Sequence, residues 1–273
     1  MDFDRYVEGL ERRRAGRGPE NLVVLPRVDS TNTLARAVVA EYKSEAQDFH
    51  PLLVLAFEQS GGRGRQGRSW SSPPGKGVYA TRVVAVADPA FLQTLPLLVG
   101  IGLSRALSAH LPAQSPCRLK WPNDLVVESA GERRKIGGIL IEASVQPGEA
   151  VQAIVGFGVN HLHGIGELPE NATSISLLGG VAVSLADLTW DLVEGVEAEL
   201  EHLGDSAYAV EAYRGLAIHQ PGERIVFRTG GDAVVEGTFV GFDDTGRLQI
   251  ESGGERISTA AGELIEAGEV TEG

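Results

Sequence analysis

Short apolar runs rich in β-branched residues recur along the chain at Leu22–Leu25, Leu52–Phe57, Val78–Val86, Ile139–Val145 and Val151–Val159. Each is bounded by glycine, proline or polar residues, which predicts strands. Three longer stretches carry helical spacing instead. Thr31–Tyr42 places Leu34, Ala35, Val38 and Val39 behind Asp29, Ser30 and Thr31, all good N-cap residues. Phe91–His110 repeats Leu95, Leu98, Val99, Gly102, Ala106 and Leu107, the pattern of a core helix. A third helix is expected to begin at Ser184, with Asp187 three residues on and a stripe of Leu188, Leu192, Val196 and Leu200. Strands lying before, between and after helices without strict alternation predict an α+β domain with a mixed sheet. After about Tyr213 the pattern changes to short strands in GERIVFR, AVVEGTFVGF, GRLQIES and ERISTAAGELIE, separated by GG, DDTG and SGG turns. That predicts a small appended SH3-like β barrel, and a division into residues 1–213 and 214–273.

Composition narrows the classes. The chain has 273 residues, 42% of them hydrophobic, enough for a sizeable core. A single cysteine, Cys117, excludes an intrachain disulfide and fits a reducing, cytoplasmic setting. The opening MDFDRYVEGLERRR has no apolar signal region, and no run approaches the roughly 18 apolar residues of a membrane span. A net charge of −13 argues against a general DNA-binding protein. Any anion site must therefore be local.

Such a site is suggested by Gly61–Trp70, GGRGRQGRSW, which sets three arginines among four glycines. Arginine offers a planar bidentate fork to phosphate or carboxylate, while glycine lets backbone N–H groups approach an anion. Ordering so many glycines is costly, so this loop is expected to be mobile until a ligand orders it. A solvated turn or a nucleic-acid arm explains the stretch equally well by itself. LKWPND, Leu119–Asp124, reads as a strand end turning at Pro122, which gathers Lys120, Asn123 and Asp124 at one rim. Those residue types suit phosphate and magnesium, and they also suit plain turn capping. In RKIGGILIE, Lys135 stands before a Gly-Gly and a buried strand; VGFGVN, Val155–Asn160, is a strand with two glycines where another group packs on bare backbone. VDSTN, Val28–Asn32, places small hydrogen-bonding residues at a helix start, as capping alone would.

Taken together and in this order, STN, GRGRxGRxW, KWPND, KIxGIL and GxGxN, followed by a small β barrel, resemble the biotin protein ligases over residues 20–267. The resemblance implies a class II synthetase-like catalytic domain of the biotin/lipoate ligase type, in the form lacking an N-terminal DNA-binding domain. It also implies ATP and Mg²⁺ as co-reactants, biotin as substrate, and a two-step reaction. Biotin and ATP give biotinyl-5′-adenylate and pyrophosphate, and the acyl group then passes to a lysine of a biotin carboxyl carrier protein domain. A lipoate or octanoate ligase of the related fold is the alternative, and a nucleic-acid-binding module a more distant one. A homodimer is expected.

Carried residue by residue, the resemblance puts Ser30, Thr31, Asn32 and Gln59 around the ureido ring and valeryl chain of biotin. Arg63, Gly64 and Arg65 would lie along the carboxylate and adenylate, and Arg68 nearer the departing phosphates. Trp70 would border the adenine, or anchor the loop in the core. Lys135 would contact the carboxylate and α-phosphate as the principal catalytic cation, with Arg63 and Arg65. Lys120, Asn123, Asp124 and Asn160 would serve ATP, with Asp124 and Asn160 toward Mg²⁺. His161 and His163 are expected to be loop residues rather than bases.

Overall fold

A computed structural model describes residues 2–14, 19, 21–45, 50–129, 131–143, 151–229 and 233–265. Seven strands form one mixed sheet: β1 (Asn21–Leu25), β2 (Leu52–Ala56), β3 (Gly77–Val86), β4 (Arg118–Lys120), β5 (Asp124–Ser129), β6 (Glu132–Ala143) and β7 (Val151–Asn160). Their order is β1-β2-β3-β7-β6-β5-β4. Only β1 and β2 run parallel; the other neighbours are antiparallel. Alternation along β2 separates two cores. Leu52 and Val54 join Val83 and Ile154 beneath Ala35 and Val39 of helix α2 (Thr31–Ser44), whereas Leu53 and Leu55 face the main core on the other side.

The main core is closed by α3 (Leu95–Ser108) and α4 (Leu185–Leu200), which pack on one another, with α1 (Phe3–Arg14) against α4 and α5 (Ser206–Leu216) against α3. Ser184 caps α4 as expected: its hydroxyl accepts from the Asp187 backbone N–H. The long helix predicted over residues 91–110 is divided. A 3-10 turn occupies Pro89–Gln93, and α3 starts only at Leu95 with Pro96 in its first turn. Proline is tolerated there because that N–H has no intrahelical partner. The strand expected from Ile139 begins instead at Glu132 and runs through Gly137 and Gly138; Val145 lies outside the described residues.

Strands β8 (Arg224–Thr229), β9 (Val234–Phe242), β10 (Leu248–Ser252), β11 (Glu255–Thr259) and β12 (Gly262–Ile265) form a second, antiparallel sheet in the order β11-β10-β9-β8-β12, the SH3-like unit expected. It is seated firmly on the first unit. Trp121 donates its indole N–H to Gly246 O at 3.1 Å, its ring lies 6.3 Å from that of Phe227, and Tyr213 meets Phe242 edge to face at 5.2 Å. Residue 213 falls inside α5, and the crossing between the sheets occupies residues 217–223.

Candidate functional site

One cleft of about 400 Å³ opens between the large sheet, the arginine-rich loop and strand β12. That size is ordinary for a small-molecule site. It gathers every residue that the resemblance assigns to substrate or metal: Ser30, Thr31, Asn32, Gln59, Arg63, Gly64, Arg65, Arg68, Trp70, Lys120, Asn123, Asp124, Lys135 and Asn160 all line it.

Its floor at one end is a closed polar network. The Thr31 backbone N–H and hydroxyl both donate to Gln59 Oε1, at 2.9 and 3.2 Å, and Gln59 Nε2 donates to Ser72 Oγ at 2.8 Å. Asn32 Nδ2 donates to Leu140 O and to Glu142 Oε2, while its Oδ1 stands 2.7 Å from Thr81 Oγ1. These groups sit this deep because β7 has glycines beneath them. A Cβ at Gly156 would land on the Asn32 amide, and one at Gly158 would stand 2.6 Å from Nε1 of Trp70. The two groups that pack on the bare backbone of VGFGVN are therefore Asn32 and Trp70.

Lys135 is aimed by a bulge. Between Leu125 and Val126 the β5–β6 register shifts, so that Leu125 faces Gly137 and Val126 faces Lys135, leaving buried Ile136 as the extra residue. A bulge re-aims the side chains beside it. Lys135 Nζ consequently reaches Asp124 Oδ1 at 2.7 Å and lies 5.7 Å from the centre of the Trp70 ring. It remains a third exposed, open to an incoming anion.

The arginine loop forms a small hairpin in which Gly64 N–H donates to Arg68 O and Trp70 N–H to Gly62 O. Its tip turns through Gln66 and Gly67, both at positive φ, 54° and 73°. Glycine adopts that region freely. The three arginines diverge to separate partners. Arg63 reaches Glu142 at 3.1 Å; Arg65 donates to Asn123 Oδ1 at 2.7 Å and to Gly262 O at 3.3 Å; Arg68 makes a two-pronged pair with Glu263 at 2.5 and 2.6 Å. Burial lowers the Arg65 pKa, with Asp124 and Glu263 opposing, so that this guanidinium is poorly hydrated. The Arg68 hydrogen bonds hold the Glu263 carboxyl below its ordinary range. The latter two arginines thus tie the loop to the C-terminal sheet.

At the far end Lys120 is buried, Asn123 Nδ2 holds Ile139 O at 3.0 Å, and Asn160 Nδ2 holds Thr173 O at 3.0 Å. Among the described residues no group of three or more His, Cys, Asp or Glu could hold a metal by itself. His161 and His163 are buried just beyond β7 and do not line the cleft. Burial brings the His161 pKa down to about 4, so that ring is neutral at pH 7, and burial lowers the pKa of His163 as well.

Several lining or supporting residues carry no sequence signal. Leu168, Pro169, Asn171 and Ala172 come from the segment after β7, Thr81 from β3, and Glu263 from β12. Glu142 had one: it is a lone charge in the apolar run of β6, spaced by two from Leu140 and hence on the same face.

Comparison with known proteins agrees with this geometry. Residues 24–160 match the Biotin/lipoate A/B protein ligase family, and residues 222–266 match the Biotin protein ligase C terminal domain. The chain is 34% identical over 265 residues to a biotin--[acetyl-CoA-carboxylase] ligase of Paracoccus denitrificans, covering 90% of this chain and 100% of the other. It is 31% identical over 237 residues to the bifunctional ligase/repressor BirA of Escherichia coli, covering 86% and 70% respectively. Among solved structures, a biotin protein ligase from Aquifex aeolicus in complex with biotin and ATP superposes with a TM-score of 0.69 at 25% identity, covering 90% of this chain and 98% of that one. By these matches, and with its sequence motifs drawn into a single cleft, the chain belongs to the biotin protein ligases of the biotin/lipoate A/B protein ligase family.

Proposed function

We propose that this cleft joins biotin to ATP and delivers the product to a lysine of a biotin carboxyl carrier protein domain. A carboxylate oxygen of biotin attacks the α-phosphorus, the bond to pyrophosphate breaks, and biotinyl-5′-adenylate forms. The lysine amine then attacks the acyl carbon, AMP departs, and the amine gives up a proton. The first step brings two anions together, so its main obstacle is electrostatic. The single observation that carries the reading is the convergence of Lys135, Arg63 and Arg65 on one cleft walled by packed sheet.

Lys135 takes the central role. Paired with Asp124 at 2.7 Å, it turns to the carboxylate and α-phosphate as they arrive. Ser30, Thr31, Asn32 and Gln59 form the biotin end. Gly64 brings backbone close to the adenylate, and Arg65, sparsely hydrated, holds it. Arg68 and Lys120 attend the departing phosphates, Trp70 borders the adenine, and Asn123 and Asn160 complete the nucleotide end. Mg²⁺ would be carried in largely by the phosphates and water, with Asp124 and the Asn160 amide oxygen as the protein groups to hold it, since Glu263, the other carboxylate of the cleft, is taken by Arg68. When bound, it offsets phosphate charge. The unit built on the large sheet extends through α5, and the C-terminal sheet begins at Arg224. The test is incubation with biotin, MgATP and a carrier domain, expecting one biotin on one lysine. Transfer of lipoate in place of biotin would overturn the substrate assignment.

A further inference from the structure

Glu142 stands near the end of β6, two residues past KIxGIL, and three donors from two other elements converge on its carboxylate. Asn32 Nδ2 lies 3.0 Å from Oε2; Arg36 Nη1 lies 3.2 Å and Arg63 Nη1 3.1 Å from Oε1. Asn32 and Arg36 are one helical turn apart on α2, so they share a face and meet the strand together. Arg63 comes from the arginine loop. The carboxylate is 23% exposed while Arg36 and Arg63 are 49% and 41% exposed, so the cluster gains more from its geometry than from burial.

The Asn32 amide is thereby held in plane, with one acceptor position of its oxygen left over. Both donors are used, on Leu140 O and Glu142, and its oxygen meets Thr81 Oγ1 with Gly156 directly beneath. Its plane and the direction of its oxygen are set by neighbours, Glu142 chief among them. The same carboxylate serves two guanidinium groups, so the cluster keeps one net positive charge beside the cleft.

We propose that Glu142 is a positioning residue for biotin: it locks the Asn32 amide and draws Arg63 against β6, so that the loop and the polar floor present one fixed surface to that substrate. This inference rests on the assignment of this end of the cleft to biotin. It makes Glu142 act through Asn32 and Arg63, not by touching the reacting atoms.

The experiment is calorimetric titration with biotin, followed by steady-state kinetics, on wild type, Glu142→Gln, Arg63→Ala and the double variant. Glutamine keeps an acceptor for Asn32 and removes the charge that holds Arg63. In Glu142→Gln the KM for biotin should rise about tenfold, as loss of a charged hydrogen bond predicts. The KM for ATP should stay within about twofold, and the double variant should be no worse than Arg63→Ala alone. Unchanged biotin affinity in Glu142→Gln, or a fall in kcat with KM preserved, overturns the proposal. So do fully additive effects in the double variant. Failure of wild type itself to bind biotin would instead overturn the assignment of the cleft.

Discussion

Lys135 Nζ lies 2.7 Å from Asp124 Oδ1, joining the two motifs that were separate signals in the sequence. The pair holds the cation in the cleft. Lys135→Ala should therefore suppress the first half-reaction by about 100- to 1,000-fold, the usual loss when one preorganised charge is removed. Pyrophosphate release is the measurement. A normal rate would show that other cations carry the α-phosphate.

Arg65 joins Asn123, just before β5, to Gly262 O in the C-terminal sheet. Arg65→Ala opens both links, and the adenylate should escape rather than fail to form. Its dissociation rate, followed by chase with unlabelled biotin and ATP, should rise about tenfold or more, as expected for lost charged hydrogen bonds. Retention equal to wild type would remove this role from Arg65.

Gly158 leaves the space in which Trp70 lies. In Gly158→Ala the new methyl group would stand 2.6 Å from the indole nitrogen, so the ring must move. Overpacking of this kind costs about 1–3 kcal/mol, and it also disturbs the surface under Lys135. A lowered Tm together with weakened nucleotide binding is expected. An unchanged Tm would mean that the hairpin yields freely.

Acid should unfold the protein partly through His161. Its pKa is lowered from 6.5 to about 4 in the folded state, mainly by burial, with His110 adding a like charge. The unfolded chain therefore takes up a proton before the folded one does. The stabilisation of the neutral ring is fully present above pH 6.5 and is lost as pH falls toward 4, an effect of up to about 3 kcal/mol. Chemical denaturation at pH 7.5 and pH 5 should show a smaller drop in His161→Gln than in wild type. Equal drops would place the acid sensitivity elsewhere.

Much of this was legible because the pattern and the packing obey the same period. Strands β1, β2, β3 and β7 are apolar runs with clear ends, and α4 opens on a cap that forms as written. Helix α1 was hidden because its apolar stripe is thin: among Arg, Glu and Asp, only Tyr6 and Leu10 are buried large residues. Helix α5 was obscured by lying at the change to the strand-rich tail, where it read as a boundary. Gly137 and Gly138 looked like a break before a strand, whereas they continue one, with the bulge at Ile136 supplying the irregularity. The cleft residues within motifs could be found because their chemistry is concentrated in sequence. Thr81 and Glu263 are isolated in sequence and acquire meaning only from what the fold sets beside them.

The clasp between the arginine hairpin and β12 has a consequence for synthesis. Arg68 and Glu263 are separated by 195 positions, and the bonds of Arg65 and Arg68 to β12 cannot form until that final strand is made. At about 5–20 residues per second the ribosome needs roughly 10–40 s to cover that interval. Throughout it the nascent large sheet lacks one wall, so a chain caught midway through translation has no roof under which to shelter a reactive anhydride.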